Sequence, residues 1–221
     1  MKKELVKRFL SSLIILPIAL LFVIHGSVFF IFFLSTLLLI TSYEWIKMSK
    51  KKHFNKIFGV IFLIFSFYSA FQLRNYAGLN FFLFIVLICI FTDIGGYIFG
   101  KIFKGPKLTK ISPNKTYSGA IGSFILPVIA GLVYTNHLGL PLSIIVQLKL
   151  SEVSNNYELT FLFFILTISI ISQIGDLIIS YFKRLSKVKD TGKILPGHGG
   201  ILDRVDGLIF VIPILYLFII L

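Results

Sequence analysis

Long apolar stretches broken by short clusters of lysine set the pattern of this chain. Phe9 to Tyr43 contains no Asp, Glu, Lys or Arg. One helix of that length would run about 52 Å, too long for a hydrocarbon core of about 30 Å. The pattern therefore predicts a hairpin of two spans, turning near His25-Gly26-Ser27. Further apolar stretches predict spans over Ile57–Leu73, Leu79–Gly100, Tyr117–Tyr134, Leu159–Phe182 and Ile201–Leu221. Gly139–Leu150 is short, holds Pro141 and Lys149, and reads as an interfacial or re-entrant piece. The expected fold is an all-α integral membrane protein, a polytopic bundle of about seven transmembrane helices. Residues 1–78 would be the N-terminal helices, and residues 79–221 the later helices and their loops. The basic start before an apolar stretch resembles a signal peptide. No small-residue cleavage site follows it, so a retained first span is expected.

Charge assigns the two sides. Lys2, Lys3, Lys7 and Arg8 precede the first span. Lys47, Lys50, Lys51, Lys52 and Lys56 follow the second. Lys101, Lys104, Lys107, Lys110 and Lys115 follow the fourth, and Lys183, Arg184, Lys187, Lys189 and Lys193 the sixth. Seven spans place all four clusters on one side and leave Arg74 and Lys149 on the other. The positive-inside rule makes the basic side, and the N-terminus, cytoplasmic. Composition agrees: hydrophobic residues make up 57% and charged residues 14% of 221, too apolar for an ordinary soluble domain. The net charge of +13 thus belongs first to topology, and no nucleic-acid partner is expected. A single cysteine, Cys89, excludes an internal disulfide and a cysteine-based zinc cluster. Trp45 and the tyrosines near span ends fit an aromatic belt.

The nine acids divide by type. Glu4, Glu44, Glu152 and Glu158 sit at span ends or in loops. Asp93, Asp176, Asp203 and Asp206 fall in the later spans, each near the cytoplasmic end. An ionised Asp there costs about 2.5–3.5 kcal/mol on insertion scales unless it is paired or solvated. Pairing each with a basic neighbour to fix helix packing is one explanation. The other is a cation: carboxylate oxygens at one shallow depth suit Mg²⁺ better than a soft metal. Asp190, in a basic loop, reads from its setting as a solvated counter-ion. Asp203 and Asp206, three apart, share a helix face, and Asp176, Ser180, Lys183 and Arg184 line one stripe.

The loops add anion chemistry. Lys183 to Asp206 reads KRLSKVKDTGKILPGHGGILDRVD. Its Gly-His-Gly-Gly turn, with Gly199 and Gly200, offers backbone N–H groups just before a helix start, where anions are favoured. Lys107 to Gly119 reads KLTKISPNKTYSG. Basic loops above carboxylates are what a Mg²⁺–polyphosphate substrate needs. A P-loop, a GxGxxG turn and an HExxH helix are absent from the sequence.

At these residues the sequence resembles the phosphatidate cytidylyltransferase family. Its C-terminal signature, S-x-x-K-R-x4-K-D-x-G-x2-L-P-x-H-G-G-x-x-D-R-x-D, is matched at every fixed position by Ser180 through Asp206. Ser172-Gln173-Ile174-Gly175-Asp176-Leu177 resembles its Q-x-G-D-L element. Thr92-Asp93-Ile94-Gly95-Gly96-Tyr97 resembles D-x-G-A-Y, with Gly96 in place of Ala. Ser112-Pro113-Asn114-Lys115-Thr116 resembles S-P-x-K-T. Ser118 stands where the family commonly has Glu or Gln, and the stretch between Trp45 and Phe81 is short by about two helices. The likeness is good from Asp93 to the C-terminus and loose over the first hairpin.

The resemblance implies transfer of CMP from CTP to phosphatidic acid, giving CDP-diacylglycerol and pyrophosphate. It implies catalytic roles for Asp176, Lys183, Arg184, Asp203 and Asp206. Asp176, Asp203 and Asp206 would hold Mg²⁺, with a second cation as an option. Asp93, Ser112, Lys115, Thr116, Ser180, Lys189, Asp190, His198, Gly199, Gly200 and Arg204 would bind substrate. It also implies a homodimer in the lipid bilayer of a bacterial inner membrane, with its active site facing the cytoplasm. Two alternatives stay open: a CTP-dependent enzyme acting on an isoprenoid or ether-lipid acceptor, and an ion-coupled transporter. Asp203→Asn is expected to abolish turnover with thermal stability near wild type.

Overall fold

A computed structural model describes residues 17–49, 53–109, 112, 115–138, 157–194 and 199–220. The segment Gly139–Leu150 and His198 lie outside the described residues. Seven helices are described, in order: α1 (described over 17–25), α2 (Ser27–Met48), α3 (His53–Phe103), α4 (Tyr117–Leu138), α5 (Tyr157–Leu185), α6 (Leu202–Val205) and α7 (Leu208–Ile220). Four of these, α2 to α5, are long and apolar enough to cross a membrane, and α7 is a shorter apolar helix. Their outer faces carry large apolar side chains such as Val28, Phe32, Leu39, Ile57 and Phe163 in the open. A water-soluble fold does not leave so continuous an apolar surface uncovered. The molecule is an integral membrane protein.

The turns fall where the pattern placed them. Gly26 adopts φ +65 between α1 and α2. The last carbonyls of α1 would be orphaned there. Arg74 satisfies them, its Nε donating to Val23 O at 2.9 Å and Nη2 to Ile24 O at 3.2 Å. Its guanidinium also lies over the Phe30 ring, 5.1 Å from the centroid. The lone arginine at the end away from the lysine clusters therefore closes a helix.

Helix α3 is one stretch of 51 residues but not one span. Gly78 breaks it with φ 84 and ψ 168. Ser66 and Ile90 would stand about 36 Å apart along a straight helix. Instead both line one apolar cavity of about 230 Å³, together with Phe30 and Ile209. The chain turns back at Gly78, and the two expected spans are present.

Around α3 pack α2, α4, α5 and α7. Phe30, Leu63, Leu73, Phe81, Phe84, Ile85, Ile88, Ile165, Ile168 and Val211 are fully buried between them. Hydrophobic attraction between helices is weak in lipid, so close contact and side-chain hydrogen bonds matter more. The α3–α4 seam shows both. A Cβ on Gly95 would run into the Gly122 carbonyl, and one on Gly119 would lie 2.7 Å from Gly96 O. Ser123 Oγ donates to Thr92 O at 2.8 Å. A Cβ on Gly96 would meet Ser123 Oγ at 2.7 Å, which accounts for glycine at this position. Across the bundle, Thr92 Oγ1 lies 3.1 Å from Ser169 Oγ, and Ser66 Oγ donates to Ile209 O at 2.7 Å.

Two expectations are corrected, and one is sharpened. Trp45 is not in an interfacial belt. It is buried, donates from Nε1 to Asn55 O at 2.9 Å, and packs edge-on against Phe182 with centroids 4.9 Å apart. Glu44 sits near the end of its span, as expected, and is buried there, being only 1% exposed. The last span does not begin as one helix at Ile201; α6 is a separate turn, and α7 starts at Leu208.

The seam makes a testable prediction. Gly95→Val forces the α3 and α4 backbones apart and should destabilise the protein by about 1–3 kcal/mol. Thermal unfolding in detergent measures it, with a lowered midpoint expected.

Candidate active site

At the lysine-rich end of the bundle lies a cavity of about 420 Å³. Its acids are Asp93 from α3, Asp176 from α5, Asp190 from the α5–α6 loop, and Asp203 and Asp206 from α6 and the turn after it. Lys115, Lys183 and Arg204 supply its positive charge. Ser112, Thr116 and Gln173 also line it. Ten sequence-predicted residues thus meet in one place: Asp93, Ser112, Lys115, Thr116, Asp176, Lys183, Asp190, Asp203, Arg204 and Asp206.

The loop from α3 to α4 is held by its own backbone. Leu108 N donates to Lys115 O at 2.8 Å, Lys115 N to Ser112 O at 3.0 Å, and Tyr117 N to Pro106 O at 3.2 Å. Thr116 caps α4, its Oγ1 accepting from Gly119 N at 3.1 Å. This aims Lys115 across the cavity at Asp176 on α5, Nζ to Oδ2 at 2.6 Å. Ser180, one turn on, donates to Asp176 Oδ1 at 3.2 Å. Ser118 faces away and donates to the Lys104 carbonyl, so the departure from the family pattern lies off the cavity wall.

Asp203 accepts four hydrogen bonds. Lys183 Nζ reaches its Oδ1 at 2.8 Å. Its Oδ2 faces Thr191 N at 2.8 Å, Thr191 Oγ1 at 3.0 Å and Gly200 N at 3.1 Å. Burial works to raise its pKa, but the Lys183 ammonium and these N–H donors outweigh it and hold the carboxyl below the usual range. Asp206 goes the other way. Burial first, then the Asp176 and Asp93 carboxylates, push it well above the usual value. Its Oδ1 accepts from Gly207 N at 3.0 Å. The two acids share a cavity but not an environment: proton affinity is lowered at Asp203 and raised at Asp206.

The remaining candidates fall nearby or outside. Lys189 lines an adjoining basic cavity of about 750 Å³ with Lys47, Lys187 and Lys193. Gly199 adopts φ +83 beside Asp190 and Asp203. Arg184 is exposed on the last turn of α5, outside the lining of the acid cavity.

Sequence reasoning missed two residues. Gln173 lines the cavity with its Nε2 buried and without a partner among the described residues. A buried donor in that state fits an incoming oxygen. Its place in the Q-x-G-D-L element was the available signal. Glu44 is the second. It falls on the stripe Leu34, Thr41, Glu44, Met48 that α2 buries.

Hard oxygen donors line the site, which matches a divalent cation such as Mg²⁺ in chemistry. Among the described residues, no three His, Cys, Asp or Glu side chains are grouped closely enough to enclose an ion. Mg²⁺ is commonly held by one or two carboxylates plus substrate phosphates, so this donor set fits it as a partner of bound phosphate.

Asp203 should be structural as well as chemical, so the expectation that Asp203→Asn abolishes turnover with thermal stability near wild type is replaced in its second half. An amide nitrogen at Oδ2 would face three donors. Asp203→Asn should cost about 1–3 kcal/mol of stability, read as a lower thermal midpoint than that of Asp206→Asn. Asparagine at 206 can still accept from Gly207 N.

A model of the cytidylyltransferase family matches residues 53–221. Over 162 residues the chain is 40% identical to a phosphatidate cytidylyltransferase of Brucella suis biovar 1, covering 71% of this chain and 54% of that protein. It is 42% identical over 139 residues to the enzyme of that name from Staphylococcus haemolyticus, covering 62% of this chain and 48% of that one. The corresponding protein of Staphylococcus saprophyticus is 43% identical over 141 residues, again 62% and 48%. The chain spans about half the length of the curated relatives it matches.

Proposed function

The chain belongs to the cytidylyltransferase family, and we propose that it transfers CMP from CTP to phosphatidic acid, forming CDP-diacylglycerol and releasing pyrophosphate. The observation that carries this reading is the single cavity in which two lysine–carboxylate pairs and three further aspartates meet at the lysine-rich end of the bundle. The names of the relatives support CTP and phosphatidate as substrates. We read the lysine-rich end as cytoplasmic, in a bacterial inner membrane, where CTP arrives from water and the lipid headgroup lies at the same depth.

In the reaction, a phosphate oxygen of phosphatidic acid forms a bond to the α-phosphorus of CTP. The bond from that phosphorus to the bridging oxygen breaks, and pyrophosphate carries away the electron pair. The nucleophile is anionic near neutral pH, so positioning and charge neutralisation do most of the work. Lys183, Arg184, Lys189, His198 and Arg204 are read as phosphate contacts. Asp93, Ser112, Lys115 and Thr116, with Gln173 as an added donor, form the nucleotide side. Ser180 steadies Asp176, Gly199 and Gly200 shape the turn, and Asp190 borders the phosphate region. One or two of Asp176, Asp203 and Asp206 would hold Mg²⁺ together with substrate phosphate, and the ion when bound neutralises phosphate charge. Lys115 and Lys183 already sit on carboxylates, so an entering phosphate competes for ammonium groups that are in place.

The cavity lies at one end of the bundle, which disfavours an ion-coupled transporter with a site near the midplane. An isoprenoid or ether-lipid acceptor remains the alternative within the family, and the resemblance also favours a homodimer. Purified protein with Mg²⁺ and labelled CTP should yield a CDP-lipid from phosphatidic acid, and much less from an isoprenoid phosphate. Preference for the isoprenoid acceptor would move the reading to the alternative. No product from either acceptor, with folded protein, would refute the enzymatic reading. Asp206→Asn should lower turnover at least a hundredfold while leaving the thermal midpoint near wild type.

A further inference from the structure

We infer that Glu44, from the N-terminal part of the chain, is a positioning residue that sets the Asp203 carboxylate. The inference rests on the reading of the cavity as a cation–phosphate site. Glu44 is 1% exposed, and a carboxylate so buried is tolerated only if its oxygens are satisfied. Three donors meet it. Ile201 N reaches Oε1 at 3.1 Å, Leu202 N reaches Oε2 at 2.8 Å, and Thr191 Oγ1 lies 3.1 Å from Oε2.

The first two donors are the start of α6, which has no side-chain cap of its own. Glu44 provides that cap from a helix 157 residues away in sequence. The surrounding glycines are fitted to it. A Cβ on Gly192 would strike Oε1, and one on Gly200 would lie 2.6 Å from Oε2. Glu44 therefore gathers both sides of the loop, Thr191–Gly192 and Gly200–Leu202.

The same segments hold Asp203. Thr191 N, Thr191 Oγ1 and Gly200 N all face its Oδ2. The Thr191 hydroxyl stands between the two acids, 3.1 Å from Glu44 and 3.0 Å from Asp203. It has one proton to give, so each carboxylate constrains the other through it. Lys183 then closes the far side of Asp203. Glu44 lines neither the acid cavity nor the basic one beside it. Its influence on the chemistry runs through Thr191, Gly200 and Asp203.

The test is binding of Mn²⁺ together with CTP to purified protein in detergent, followed as the change in the Mn²⁺ paramagnetic resonance signal relative to Mn²⁺ and CTP alone, with no turnover required. Glu44→Gln puts an amide nitrogen against backbone donors and should weaken Mn²⁺ binding about tenfold. Thr191→Val should weaken it in the same direction, and the double variant should be little worse than Glu44→Gln alone, since both act through one contact. Leu34→Ala, buried on the same helix, should lower the thermal midpoint yet leave Mn²⁺ affinity within twofold of wild type. Wild-type affinity in folded Glu44→Gln would overturn the inference. If that variant does not fold, wild-type affinity in Thr191→Val overturns it instead. Failure of the wild-type protein to bind Mn²⁺ would contradict the reading of the site itself, a separate result from normal binding by wild type and variants alike.

Discussion

Carboxylates beside hydrocarbon must be neutralised, and the arrangement of this molecule follows from how that is done. An unpaired Asp near the bilayer carries a cost of about 3 kcal/mol on insertion scales. Here the acids at the basic end are met one by one. Lys115 holds Asp176, Lys183 holds Asp203, and backbone N–H groups with one threonine hold Glu44. Asp206 is met by a backbone N–H and by the Lys183 charge, but burial and the neighbouring carboxylates outweigh these and raise its affinity for a proton. That residue marks where positive charge is still wanted.

Each pairing needs a scaffold that fixes its distance. The glycine-lined seam lets α3 and α4 approach closely, which brings Asp93 near Thr116 and Ser123. The Thr116 cap and the folded-back loop before it carry Lys115 to α5. On the other flank, α2 reaches under the α5–α6 loop through Glu44. The N-terminal helices thereby become part of the site's support, although every cavity-lining acid comes from beyond Gly78. Buried polar groups of this kind specify one arrangement among many that an apolar bundle would accept.

Much of this was legible from sequence because spans, turns and charge clusters are local signals. Gly26 and Gly78 stand where apolar stretches exceed a bilayer's thickness, and both turn the chain. The grouping of Asp93, Asp176, Asp203 and Asp206 followed from their equal depth. The long match from Ser180 to Asp206 named the family's chemistry before any packing was known. The burial of Glu44 and Trp45 was not legible because their partners, Thr191 and the start of α6 for one and Asn55 and Phe182 for the other, come from turns and helix faces that hydropathy does not register. The stability role of Asp203 was hidden for the same reason: its donors at Thr191 and Gly200 are backbone groups, present in any residue.

The central claim is nucleotidyl transfer at the acid cavity, and the fate of the two ends of CTP tests it most directly. Parallel reactions with label in the α- or the γ-phosphate of CTP should place α-label in the lipid and γ-label in pyrophosphate. Label from the γ-phosphate in the lipid, with CDP as co-product, would show phosphoryl transfer and contradict the account.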